Sequence, residues 1–322
     1  MKAIHFVNQA IVPVDEPIPA LQPGEALVRV LRAGICATDI ALFHGYADFT
    51  GIPGHEFAGI VEECPDRPEL RGKKVVADIN FGCGACAGEK HCPSRRVLGI
   101  RGKNGAFAEY CAIPAKNLYT VAGSIETSHA VFAEPLAAAL QIARQVRIER
   151  DSRIAVLGDG CLGILCALGL KQYAENILLI GRHHEKLAIA EKQAVKTHLV
   201  NAHSSPEKVA FILGTFDITI DATGNSEGTG WCIPMTRPEG TVVVKTTTPE
   251  KSTIDMASVV VNELTILGSR CGDIALSLDF LQNRRIDVAP LIDAVYPFSA
   301  FTEAFARACE KGSLKVVIDF SC

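Results

Sequence analysis

The sequence lacks the features that would tie it to a membrane or to nucleic acid. No apolar run reaches the roughly 20 residues that a bilayer-spanning helix needs. The N-terminus, MKAIHFVNQAIVPVDEP, carries one early lysine, then proline and acid, and does not read as an export signal. Basic and acidic residues nearly balance, 32 against 36, for a net charge of −4. Without a global basic field, nucleic acid is excluded as a main partner. The expectation is a soluble cytoplasmic protein with no membrane partner, open to small neutral or acidic metabolites. Internal repeats and low-complexity segments are absent too. What is present is length and apolar content: 322 residues, 48% of them hydrophobic, are enough for two domains.

Twelve cysteines are many for a cytosolic chain. In a short secreted chain they would suggest a disulfide framework. Here the chain is long, and Cys83, Cys86 and Cys92 cluster, which favours thiolate metal chemistry. Cys111, Cys161, Cys166, Cys232 and Cys309 sit in apolar surroundings and read as small core residues.

Residues 1–122 read as β-rich. Ala26 to Leu31 and Val75 to Asp78 are short strands, and Gly/Pro turns recur between Pro17 and Gly59. That texture predicts a compact, barrel-like β domain. The texture changes at residue 123. Ser124 to Arg147 reads as helical, with Ala137 to Leu140 its strongest part. Six short apolar runs then alternate with helical stretches: 154–157, 177–180, 198–200, 217–221, 241–244 and 264–267. Strands alternating with helices imply a doubly wound parallel sheet, an α/β domain over residues 123–288. Residues 289–322 differ again. Tyr296 to Cys309 reads as an amphipathic helix and Lys315 to Phe320 as a last strand, expected to pack back onto the N-terminal domain.

The run Gly158-Asp159-Gly160-Cys161-Leu162-Gly163 follows the first of these six strands and opens a helix. In that context G-x-G-x-x-G reads as a dinucleotide loop. Gly158 allows the tight turn, Gly160 lets backbone approach a pyrophosphate, and Gly163 lets helix and strand pack closely. The helix N-terminus offers N–H groups to phosphate. The second strand ends at Gly181-Arg182, where an NAD site usually carries Asp or Glu. A small residue leaves room, and Arg182 pairs with a 2′-phosphate, so NADP is favoured over NAD. Arg182 stacked on the adenine ring would instead permit NAD. Thr223, after the fourth strand, and Arg270, after the sixth, complete the expected cofactor contacts.

Cys36, His55 and Glu134 together supply one sulfur, one nitrogen and one oxygen ligand, a mixture suited to Zn²⁺. Three ligands leave a fourth position open, as catalysis needs. Glu56 follows His55 directly and is a further candidate to approach the metal or exchange with water.

Several motifs stand in a telling order: Gly34-Ile35-Cys36-Ala37-Thr38-Asp39, Pro53-Gly54-His55-Glu56-Phe57-Ala58-Gly59, the cysteine cluster, Gly105-Ala106-Phe107-Ala108-Glu109-Tyr110, Glu134-Pro135-Leu136 and the Gly158–Gly163 loop. In these the chain resembles the zinc-dependent medium-chain dehydrogenase/reductase family of alcohol and polyol dehydrogenases, over essentially its whole length. The Glu134-Pro135-Leu136 form looks like the sorbitol and threonine dehydrogenase branch. The resemblance implies a GroES-like catalytic domain, residues 1–122 and 289–322, joined to a Rossmann domain. It implies catalytic zinc on Cys36, His55 and Glu134, with Asp39 orienting His55 and the Thr38 hydroxyl beside the substrate oxygen. It also implies a homodimer or homotetramer. Two departures stand out. The position of the family's proton-relay histidine is Ala41, which leaves His44 as a candidate. The family's structural zinc lobe has four cysteines, whereas here only Cys83, Cys86 and Cys92 remain. Glu89 or His91 would have to complete it, or the lobe is metal-free.

The reading that follows is a zinc-dependent oxidoreductase that moves hydride between a nicotinamide cofactor and an alcohol or polyol. Two alternatives stay open: a zinc-free double-bond reductase of the same superfamily, and a non-catalytic NAD(P)H-binding redox sensor.

Overall fold

In the computed structural model all residues are described except Asn8, Ala47, Asp48, Ala87, Ala202 and Cys322. The chain forms two compact units. The first comprises residues 1–134, 274–284 and 288–322, and the second residues 135–273 and 285–287. Among the described residues no helix is long and apolar enough to cross a membrane.

The first unit is built on the strand Glu25–Ile35. Along one edge it pairs antiparallel with Glu56–Glu63. Along the other, its first half pairs with Tyr110–Pro114 and its second half with Lys315–Asp319. Irregular register after Leu27 and Val30 lets one long strand serve three neighbours as it bends. The strands Lys74–Ala77 and Leu118–Thr120 extend one side of the sheet, and Ile292–Pro297 extends the other. Beneath lies an apolar core in which Phe6 meets Phe305 and Phe107 meets Phe301 edge-on, with ring centres 5.4 and 5.0 Å apart.

The second unit holds six parallel strands in the order Lys196–Leu199, Asn176–Gly181, Arg153–Leu157, Phe216–Asp221, Thr236–Val244, Thr265–Gly268. These are the six apolar runs of the sequence, with the order reversing at Arg153–Leu157 as in a doubly wound sheet. The helix Cys161–Leu170 is apolar all round and buried from Gly163 onward, as a crossover helix packed on a sheet must be.

Three expectations need correction. The helical stretch 124–147 is three short helices, Thr127–Ala130, Ala133–Leu140 and Ile142–Gln145. Pro135 explains the first break: it has no N–H, and its ring excludes the carbonyl four residues earlier, so a helix can only begin around it. Residues 123–134, expected with the cofactor domain, belong to the first unit, because Thr127–Ala130 packs on the strands Glu25–Ile35 and Glu56–Glu63. The helix expected from Tyr296 starts at Phe301, and Tyr296 instead belongs to the strand Ile292–Pro297, whose side chains alternate between half-buried and exposed. The final strand does return to the N-terminal sheet, antiparallel to Glu25–Ile35.

Candidate active site

The first unit gathers a sulfur, a nitrogen and an oxygen at one point. Cys36 ends the central strand and caps the helix Ala37–Phe43. Its sulfur accepts the N–H of Thr38 at 3.4 Å, and its own N–H is held by Asp39 Oδ2 at 2.8 Å. The Cys36 sulfur also faces the Asp39 N–H, which with the Asp39 side chain on Cys36 N–H completes a capping box, with cysteine where serine or threonine is usual. His55 precedes the strand Glu56–Glu63 directly, so its position is set by the neighbouring strand of the same sheet. Ligand atoms of Cys36, His55 and Glu56 all lie within 4.8 Å of one another.

Asp39 is the fixed point of this cluster. It is fully buried, and its Oδ1 accepts Gly54 N–H at 3.3 Å while standing 3.3 Å from His55 Nδ1. The buried His55 Nδ1 faces Asp39 without full hydrogen-bond alignment, so the contact is chiefly electrostatic. Burial alone would lower the His55 pKa, but the Asp39 carboxylate outweighs it, with help from Cys36. The imidazole is thereby held well above its ordinary value. A buried imidazole, a thiol that already accepts a backbone N–H and a nearby carboxylate form a donor set that fits a divalent metal of zinc's character.

Glu56 is not a spare carboxylate. Its Oε2 accepts a hydrogen bond from Lys315 Nζ, and both groups are almost completely buried. Lys315 also donates to Ile35 O at 3.2 Å. Glu134 lies near the start of the helix Ala133–Leu140, half-buried, and its carboxylate is not part of the Cys36–His55–Glu56 cluster. Thr38 is half-buried beside Cys36, and Ala41 and the exposed His44 lie further along. Phe57 belongs to the core.

The second metal candidate is equally compact. Cys83 and Cys86 sulfurs are 3.5 Å apart, Cys86 and Cys92 sulfurs 3.6 Å. Tetrahedral zinc with bonds of about 2.3 Å places its sulfurs roughly 3.8 Å apart, so these three thiols fit. Hydrogen bonds involving Ser94 and the Cys83 N–H hold the Cys92 thiol down at about 6, and those with Cys83 and Cys92 hold Cys86 up at about 11. Neither expected fourth ligand joins them. Glu89 accepts Gly82 N–H at 3.0 Å and pairs with Lys116, while His91 is exposed on the same short turn.

In the second unit, Gly158 has φ +114°, and a Cβ there would stand 2.4 Å from Ala222 O. A Cβ on Gly163 would stand 1.8 Å from Gly158 O, so the helix can pack this closely only with glycine. Gly160 faces open space and caps the helix that starts Cys161-Leu162 without any side-chain cap. Thr223, in the loop after Phe216–Asp221, is bound to Asp221 through both N–H and hydroxyl, at 3.0 and 2.8 Å. Asp221 also takes Thr229 and Thr246 at 2.9 and 2.7 Å, which ties the ends of two strands together. Arg270 is exposed just beyond Thr265–Gly268.

Comparison with known proteins places both units in one family. Residues 22–123 match the model of the alcohol dehydrogenase GroES-like domain, and residues 161–293 that of the zinc-binding dehydrogenase. A D-altritol 5-dehydrogenase of Agrobacterium fabrum is 33% identical over 76% of this chain and 75% of its own. The chain belongs to the zinc-binding alcohol and polyol dehydrogenase family. Another relative, an L-threonine 3-dehydrogenase of Streptomyces avermitilis, is 28% identical over 96% of this chain and 95% of its own. Among solved structures, a putative zinc-binding dehydrogenase of Sinorhizobium meliloti bound to NADP shares 26% identity and a TM-score of 0.90, covering 99% of this chain and 98% of that one. As a member of the family, this dehydrogenase is an alcohol and polyol oxidoreductase linked to a nicotinamide cofactor. Sequence reasoning missed Lys315, Asp159 and Lys245, whose buried ammonium donates to Ala138 O at 2.7 Å. All three look like ordinary charged residues until distant strands bring their partners to them.

Proposed function

We propose that this chain is a zinc-dependent dehydrogenase that oxidises a secondary alcohol or polyol to the carbonyl, with NADP favoured over NAD. The observation that carries the zinc reading is the convergence of ligand atoms of Cys36, His55 and Glu56 within 4.8 Å of one another. Cys36 and His55 would hold the catalytic ion, with Glu56 or Glu134 as the oxygen ligand. Bound there, zinc supplies Lewis acidity that brings an alcohol's pKa toward neutrality. The Thr38 hydroxyl accepts the alcohol proton and passes it outward, with His44 the candidate exit since the relay position is Ala41. Asp39 keeps the imidazole oriented. The Gly158–Gly163 loop would hold the cofactor's pyrophosphate, and Arg182 would pair with a 2′-phosphate. Cys83, Cys86 and Cys92 would hold a second, structural zinc once Glu89 or His91 is drawn in as the fourth ligand; otherwise the lobe is metal-free.

The exposed Met256, Val260, Val261 and Ile266 lie in and around the sheet's edge strand Thr265–Gly268. They support a homodimer or homotetramer formed through the cofactor unit, and the protein is read as cytoplasmic.

The test is a dehydrogenation screen over alcohols and polyols with both NAD and NADP, with metal measured on the same sample. The expected result is turnover on at least one secondary alcohol by protein carrying stoichiometric zinc. Fully metal-free protein with undiminished turnover would remove the zinc reading.

The electrostatics add a pH prediction. The raised His55 pKa keeps the imidazole protonated in the metal-free protein to higher pH than usual. The ion must displace that proton, so affinity falls as pH drops below this pKa, by about tenfold or more per unit. Chelator competition at pH 6, 7 and 8 measures it, and a flat profile would contradict it.

A further inference from the structure

The tip of the second Rossmann strand has no acidic side chain, yet a carboxylate stands there. It comes from Asp159, the variable residue between the first two glycines of the dinucleotide loop. Its Oδ2 accepts the N–H groups of Arg182 at 2.6 Å and His183 at 2.7 Å. The His183 ring nitrogen Nδ1 lies 3.1 Å from both carboxylate oxygens, and since a carboxylate only accepts, Nδ1 carries the proton. A Cβ at Gly181 would sit 2.4 Å from Asp159 Oδ2 and 2.6 Å from its Cγ. The space that glycine opens at the strand tip is therefore not empty. It is filled by a negative group whose side chain is only 10% exposed.

That position is where a dinucleotide fold places the acid that accepts the adenine-ribose 2′-hydroxyl. Oδ2 is committed to two backbone donors. Among the described residues Oδ1 meets only the His183 ring, so it keeps acceptor capacity for a hydroxyl. A 2′-phosphate brought to the same place meets a like charge in a partly dehydrated setting, where repulsion is stronger than in water. Arg182, exposed on the next residue, attracts that phosphate.

We propose that Asp159 is a specificity-determining residue that opposes Arg182 at the cofactor's 2′ position, so that the enzyme accepts both NAD and NADP with modest discrimination. His183 moderates that opposition by donating its Nδ1–H to the carboxylate. This inference rests on the reading that a nicotinamide dinucleotide binds the Gly158–Gly163 loop.

The test is a set of fluorescence titrations of the full-length protein with NADH and NADPH. Asp159→Asn keeps an acceptor for the two backbone donors and removes the charge. It should move the affinity ratio toward NADPH by about tenfold or more. His183→Leu unmasks the carboxylate and should move the ratio toward NADH, which keeps the inference testable if Asp159→Asn fails to fold. Arg182→Ala should also move it toward NADH. Equal losses for both nucleotides in Asp159→Asn, or an unmoved ratio in Asp159→Asn and His183→Leu, would make Asp159 a structural brace and overturn the inference alone. Binding of neither nucleotide by the wild-type protein would overturn it together with the cofactor reading.

Discussion

Replacing Cys36 or His55 by alanine should lower turnover by about a thousandfold or more, with dinucleotide affinity within about twofold of wild type. The size follows from what the cluster supplies. An alcohol with a pKa far above neutrality gives up hydride poorly while it keeps its proton, and Lewis acidity at this point is worth several kcal/mol. The selectivity follows from the division of labour: Cys36 and His55 belong to the first unit and Gly158, Gly160 and Gly163 to the second. Steady-state rates, metal content and NAD(P)H fluorescence on the same preparations read all three quantities. Turnover that survives either substitution would end the metal reading, since neither residue has another role in the proton path through Thr38. Paired variants Glu56→Gln and Glu134→Gln add a distinction. The one that loses bound metal names the oxygen ligand.

The largest effect on stability is expected at Lys315. It and Glu56 are a buried ion pair, 4% and 1% exposed at the side chain. Lys315→Met removes one charge and leaves the other dehydrated and uncompensated. Breaking such a pair costs about 3–5 kcal/mol, a large share of a domain's net stability. The double variant Glu56→Gln/Lys315→Met leaves no buried charge and should recover most of that loss. Denaturant unfolding of the wild-type, single and double variants closes the cycle. A single variant as stable as wild type would show that the ammonium and carboxylate are solvated rather than paired. The pair also bears on chemistry, because it restrains a carboxylate that lies within reach of Cys36 and His55.

Much of the fold was legible because the cofactor unit obeys a local code. Each strand is a short apolar run, each crossover a helical stretch, and Gly158 and Gly163 sit where only glycine fits. The motifs around Cys36 and His55 were equally readable. What was not legible depends on partners far apart in sequence. Lys315 looked like the polar start of a β-branched strand, and nothing nearby marked it as the counter-ion of a residue 259 positions away. Asp159 occupied a position that the glycine pattern leaves unspecified, and Gly181 was read as room for a phosphate when it is room for Asp159. The helical stretch 124–147 was misjudged for a local reason, the proline at 135, whose effect on backbone was outweighed by the alanines that follow it.

The place of the strand Lys315–Asp319 has a consequence for the order in which the protein is made. The second unit is nearly continuous along the chain, so it can fold as soon as its residues emerge, as domains generally do during synthesis. The first unit cannot finish then. The central strand Glu25–Ile35 waits with half of one edge unpaired, and Glu56 waits without its cation, until Lys315–Asp319 has been made after the second unit. Until that moment the nascent chain carries an open sheet edge and an uncompensated acid beside the thiol of Cys36. Closing of the sheet and neutralisation of Glu56 are thus deferred until after the second unit's residues have been made, and a chain that stops short of Lys315 would hold a folded second unit and an unfinished first one.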